Sequence, residues 1–294
     1  ALAKHAHFYL FISPFFLLFA VFGLYPLLFS FALSFVKWNG LTQPQWVGLG
    51  NFVAMWEDEI FLTSLWNTLI LGLLTIPPML LTGFLCAVGM NQSWLKCKGL
   101  FRTAYFLPVV TPMVAIAIVF SLVYSPERGV LNYLISGIDA WLPWLGLEPV
   151  AWLNSVTWSK PSLALVSLWR WTGYTMVLML AGLQGIPKDY YEAAQLDGAG
   201  PWLRMRHITL PLMQPMFVYC TVTSLIGTAF MFDEVLVLTQ GGPGASSLNF
   251  GLYLFQISFS DFRFGYASAV GYTVVALVFV MSLFVIRQSN WTKV

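Results

Sequence analysis

Residues 64–90 read SLWNTLILGLLTIPPMLLTGFLCAVGM, and none of these positions carries a charged side chain. A bilayer's hydrocarbon core takes about 20 mostly apolar helical residues to cross. Lipid offers backbone N–H and C=O groups no partner, so a segment of this kind must be a helix. Comparable runs lie near 8–36, 101–124, 161–183, 210–234 and 265–287. The chain therefore reads as an all-α membrane protein with six transmembrane helices. The alternating short segments of an outer-membrane barrel are absent. The run at 8–36 is too long for a signal peptide's apolar region, and no small-residue cleavage site follows it, so it reads as a retained span. Pro26, Pro77, Pro78, Pro112 and Pro215 fall inside these runs and predict kinks.

Composition agrees. Of 294 residues, 59% are hydrophobic and 9% charged, against roughly 25% charged in a soluble domain. The net charge of +2 gives no footprint for nucleic acid. Cys86, Cys97 and Cys220 are odd in number and widely spaced, which implies no disulfide framework. No spacing of Cys or His suggests a metal site, and His5 and His7 read as a solvated terminus. The chain opens on Ala1, which predicts a trimmed N-terminus.

Lysine and arginine set the orientation. With the N-terminus in the cytoplasm, the inner segments hold Lys4, Lys96, Lys98, Arg102, Lys188, Arg204, Arg206, Arg287 and Lys293. The outer ones hold only Lys37, Arg128, Lys160 and Arg263. Both termini are thus expected inside. The outer loops are roughly 37–63, 125–160 and 235–264, and the first carries Glu57, Asp58 and Glu59. The tryptophans of the second (Trp141, Trp144, Trp152, Trp158) read as membrane-interface anchors. In the third, Gly241-Gly242-Pro243-Gly244 must turn, and the short apolar run 248–260 reads as interfacial or re-entrant.

The inner connection 184–211 reads QGIPKDYYEAAQLDGAGPWLRMRHITLP. Pro187 suits a first helical turn and Glu192, Ala193, Ala194, Gln195 and Leu196 favour helix. Gly198 suits the position just past a helix end. Pro201 opens a second helix, with Arg204, Arg206 and His207 expected toward its end, where cations complement the dipole. Two short helices at an angle could insert into a groove on another protein or form an ordinary solvated hairpin.

The spacing of Glu192-Ala193-Ala194, Gly198, Ile208, Leu210 and Pro211 resembles the EAA signature of bacterial ABC importer permeases. Leu183-Gln184, Ile186-Pro187 and Asp197-Gly198-Ala199 look like its carbohydrate-uptake branch, the maltose and glycerol-phosphate permeases. Gly48-Leu49-Gly50-Asn51-Phe52, Thr239, Gly241-Gly242-Pro243 and Gly265-Tyr266-Ala267-Ser268-Ala269 extend the likeness over most of the chain from about residue 45. The chain resembles the compact six-span members, lacking the additional spans and larger extra-membrane loop of the maltose permease. The resemblance implies a single MetI-like permease domain over 1–294 whose loop 184–209 forms a coupling helix docked on a cytosolic ATPase. Glu192 would meet a basic group there, Ala193 and Ala194 would allow close approach, and Gly198 the sharp turn. It also implies a second homologous permease subunit, two ATP-binding subunits holding ATP and Mg, a periplasmic or lipid-anchored solute-binding protein, and a place in the bacterial inner membrane. The sequence has no G-x-x-x-x-G-K-[ST] loop, so the energy source is a separate chain and this one is not catalytic.

Ionisable residues within spans are expensive and mark pathways. Arg170 stands in the fourth run beside Trp171 and Tyr174. Phe230, Asp233 and Glu234 stand near the outer end of the fifth, and Asn67 in the second. Polar groups with aromatic faces suit a sugar, and by the resemblance Tyr174 matches a sugar-contacting tyrosine of the maltose permease. Arg170 invites an anionic solute while the two acids argue against one. Alternatively Arg170 pairs with Asp233 or Glu234 across helices. A self-sufficient secondary transporter or channel is the other functional reading, although no half-helices or repeats are apparent. A membrane enzyme would want an acid, base or metal cluster that the sequence does not present.

Overall fold

The computed structural model describes residues 6–289, so Lys4, His5 and Lys293 lie outside the described residues. The chain is helical apart from one two-residue antiparallel pair, β1 (Val36–Lys37) with β2 (Gln45–Trp46). Four helices are long and apolar enough to cross a membrane: Leu10–Leu33, Glu59–Asn91, Ser159–Gln184 and Phe264–Gln288. Two bent pairs bring the total to six if each pair is one span. Lys98–Val110 and Met113–Val123 meet at 97°, and Pro201–Leu212 and Gln214–Ala229 at 58°.

The breaks have local causes. Thr111 is extended (ψ 133°), as steric conflict with a following proline demands, so the helix stops before Pro112. Pro26 follows a π turn at Ala20–Leu24, and Pro211 follows one at Met205–Thr209. A widened turn relieves the clash between a proline ring and the carbonyl four residues back. Pro77 and Pro78 lie within the helix Glu59–Asn91, which runs through both without a break.

Packing divides the chain into two compact units. The first joins residues up to 61 with 253–277. It contains helices α1 (Ala6–Phe19), α2 (Tyr25–Leu33) and α3 (Gly50–Glu57). None of the most apolar window of its first span is buried in the protein, the exposure expected of a lipid-facing helix. Asn51 ties the turn after α2 by donating to the Ser34 and Val36 carbonyls, 2.9 Å each.

In the same unit Asp58 starts helix α4 (Glu59–Asn91), its Oδ1 accepting from the Ile60 and Phe61 amides. Its Oδ2 accepts from the Tyr253 and Tyr266 hydroxyls, 2.8 Å each. Burial pushes the carboxyl's pKa up, but the two tyrosines and the two amides outweigh it and hold the pKa below its ordinary value. The sign follows: the contribution is full above about pH 4 and fades as pH falls through the depressed native value. Asp58→Asn should therefore lower the thermal midpoint at pH 7, with the gap to wild type closing as pH falls below about 4. A gap that stays constant with pH would show that the carboxylate charge is not what holds this cluster.

The second unit spans residues 62–252 and 278–289 of the described chain. It contains α5 (Lys98–Val110), α6 (Met113–Val123), α7 (Val130–Trp141), α8 (Ser159–Gln184), α9 (Lys188–Leu196), α10 (Pro201–Leu212), α11 (Gln214–Ala229) and α12 (Asp233–Leu238). Its core gathers Phe84, Ala87, Met176, Met179, Leu183, Met213 and Cys220. Lipid is as apolar as leucine, so helices here associate by close packing at small residues. Gly83 is such a point, since a Cβ there would lie 2.7 Å from Thr175 Cγ2. The tryptophans of the loop 125–160 divide. Trp141 and Trp144 are exposed. Trp152 is instead a packing residue, donating to Asn132 Oδ1 at 2.9 Å and stacked edge-on with Trp158.

Candidate functional site

One face of α8 presents Ser167, Arg170, Trp171, Tyr174 and Leu178 at helical spacing to a cavity of about 540 Å³. Across from it α11 presents Cys220, Thr223, Ser224, Gly227 and Thr228. Thr75 and Met79 of α4 close a third side. The segment 230–234 supplies Phe230, Asp233 and Glu234. The volume is that of a site for a small molecule.

Glu234 was expected within the fifth span, but the helix stops at Ala229, and Asp233 and Glu234 open the separate short helix α12. The reason is tertiary. Asn249 donates to the Met231 carbonyl at 2.5 Å. Gly251 lets a second backbone come so close that a Cβ would sit 2.2 Å from that same oxygen. This bend turns Glu234 toward α8, where its Oε1 accepts from Arg170 Nη1 at 2.8 Å. The pair is well buried, the side chains being 13% and 6% exposed. Among the described residues it is the one salt bridge. Of the two partners the sequence offered Arg170, the structure selects Glu234. The guanidinium also lies 5.2 Å from the Trp171 ring centroid, a cation–π contact. Trp171 and Tyr174 meet edge to face at 6.1 Å.

Six residues singled out from sequence, Arg170, Trp171, Tyr174, Phe230, Asp233 and Glu234, line this one cavity. Asn67 does not. It is buried and donates to the Ala245 and Leu248 carbonyls, pinning the segment after the Gly241–Gly244 turn. Thr75 was missed. Its signal was the seven-residue repeat Thr68, Thr75, Thr82, a polar line down one face of an otherwise apolar helix. The other two threonines are spent on structure, Thr68 accepting from the Phe250 amide and Thr82 meeting Thr172.

In the connection 184–211, α9 begins after Pro187 and ends at Leu196, two residues before Gly198, whose φ is +79°. The Ala199 amide donates to the Ala194 carbonyl at 2.8 Å and the Gly198 amide to Gln195 at 3.1 Å. This is a Schellman cap, which needs a left-handed residue where Gly198 stands. Glu192, Ala193 and Asp197 are exposed, Ala194 and Ile208 are half-buried, and Leu210 and Pro211 are exposed. Leu196 is 90% exposed and Trp202 73%, an apolar pair that the sequence pattern did not flag. Tyr191 meets Thr209 hydroxyl to hydroxyl at 3.0 Å, tying α9 to α10. The second helix runs on to Leu212, so Arg204, Arg206 and His207 lie within it and not toward its end.

A multi-span helical chain enclosing a polar, aromatic-lined cavity beside a helix break has the form of a membrane transport component. Residues 79–289 match the family described as "Binding-protein-dependent transport system inner membrane component", and the chain belongs to that family. It is 38% identical to the lactose transport system permease protein of Rhizobium radiobacter, over 93% of this chain and 91% of that one. It is 34% identical to an arabinooligosaccharides transport system permease protein of Bacillus subtilis (strain 168), over 99% and 91%. Among solved structures, it is similar to a chain of a bacterial ABC transporter involved in import of the acidic polysaccharide alginate. That likeness has a TM-score of 0.81 and 25% identity, covering 98% of this chain and 96% of that one.

Proposed function

We propose that this chain is one of two permease subunits of an ATP-driven importer that carries a sugar, oligosaccharide or sugar derivative across a bacterial inner membrane. Relatives named for lactose and arabinooligosaccharides, and a fold shared with an alginate importer, support the carbohydrate reading. Arg170, Trp171, Tyr174, Phe230, Asp233 and Glu234 lie on the solute's route. The loop 184–209 couples that route to ATPase subunits, which carry ATP and Mg. Both termini face the cytoplasm, and a periplasmic or lipid-anchored binding protein delivers the solute.

The observation that carries the coupling role is α9 itself. A two-turn helix, sharply capped at Gly198, holds Glu192 and Leu196 out from the protein. An exposed apolar residue flanked by a charge on a rigid helix suits insertion into a groove on a partner. ATP-driven closure of the ATPases would then move α9, and with it α10 and α11, as rigid elements.

The test is co-purification of the tagged chain from its native membrane. Wild type should bring down an ATPase and a second six-span protein. Glu192→Lys should lose the ATPase and keep the other. A wild-type chain that purifies alone and moves solute into liposomes without ATP would instead establish the self-sufficient transporter.

A further inference from the structure

The cavity's three charged side chains leave one sign over. Arg170 and Glu234 cancel in their 2.8 Å ion pair. Asp233 is exposed, lines the same cavity and has no ion-pair partner. A solute entering the cavity therefore meets one net negative charge, and the guanidinium that could have received a carboxylate is already engaged.

Two of the lining residues, Thr75 and Arg170, each carry a buried atom that makes no hydrogen bond within the protein: Thr75 Oγ1 and Arg170 Nε. Thr75 is only 3% exposed. The Arg170 Nε–H can only donate, whereas the Thr75 hydroxyl can donate and accept. A sugar hydroxyl has the chemistry to partner either. It accepts from the first, exchanges either role with the second, and adds no charge. The Trp171 and Phe230 rings supply the apolar faces against which a sugar ring can lie.

We propose that this cavity selects neutral polyhydroxylated solutes and rejects uronates, with Glu234 the specificity-determining residue because it takes up the charge of Arg170. The inference rests on the reading that solute passes through this cavity. The solved chain of similar fold serves import of an acidic polysaccharide, so the fold does not dictate the charge preference and the lining must.

The importer complex, purified with its partners into lipid nanodiscs, would be examined by equilibrium dialysis with radiolabelled lactose and digalacturonate. Wild type should bind lactose and take digalacturonate at least about tenfold more weakly. Glu234→Gln frees the Arg170 charge and should raise digalacturonate affinity about tenfold, while lactose affinity moves less. Because that change also withdraws a buried counter-charge, Asp233→Asn, at an exposed position with the ion pair intact, should raise digalacturonate affinity in the same direction. Wild type binding digalacturonate as tightly as lactose overturns the charge preference and leaves the pathway reading standing. Neither sugar binding overturns both.

Discussion

Gly173→Leu should leave no folded protein, and Gly173→Ala should destabilise by about 3 kcal/mol or more. Helix α8 passes α5 at this residue, and a Cβ on Gly173 would lie 1.8 Å from the Tyr105 carbonyl oxygen and 2.5 Å from its carbon. The obstacle is backbone inside a helix, so no rotamer change relieves it. One helix must move by more than an ångström, and interiors packed at crystal density do not deform that far cheaply. Between apolar helices in lipid, such close approach is the main source of association, so the contact cannot be surrendered without losing the pairing it creates. Fluorescence-detected size exclusion of tagged variants, followed by thermal midpoints, measures this. Gly89→Ala is the control. It lies in α4 with nothing within 4 Å of its added Cβ and should hold or slightly raise the midpoint, since alanine is the better helix former. A wild-type midpoint for Gly173→Ala would mean that α5 and α8 do not approach here.

Gly173 also shows where a sequence stops being legible. The runs were plain because lipid imposes length and apolarity on each helix separately, which can be read one segment at a time. Gly198 was readable for the same reason, since a helix end and its left-handed residue are local events. What fixes the cavity is not local. Helix α11 ends at Ala229 although Phe230, Met231 and Phe232 would have continued an apolar run. Asn249 and Gly251 hold the Met231 carbonyl from a segment 18 and 20 residues away, and Glu234, just beyond that bend, meets Arg170. Asp58 teaches the same lesson. It stood in sequence as one of three outer-loop acids, yet it is a helix cap bound by tyrosines 195 and 208 residues on. Charged and aromatic residues within spans could be nominated from cost alone. Which of them meet, and that Asn67 is pinned elsewhere, depended on tertiary contacts that leave no periodic trace.

Glu234→Ala should cost about 3–5 kcal/mol, while the double change Arg170→Met with Glu234→Leu should recover most of that loss. The argument is one of asymmetry. A buried ion pair is worth little against a well-packed apolar pair, because desolvating two ions offsets their attraction. Removing one partner is different, since the surviving charge keeps its desolvation cost and loses its compensation. Arg170 would be left with Nη1 unpaired beside an Nε that already has no partner in the protein. The contact with Trp171 remains, but a cation–π contact is worth about 0.5–2 kcal/mol and does not replace a carboxylate. Thermal midpoints of wild type, Arg170→Met, Glu234→Leu and the double change give the coupling directly, with Glu234→Ala measured beside them. The outcome also bears on the solute. If Glu234→Ala is as stable as wild type, Arg170 is solvated through the cavity and its charge is open to whatever enters. If the loss appears and the double change restores it, the pair is held by the protein for itself, and the guanidinium is withheld from an anionic solute.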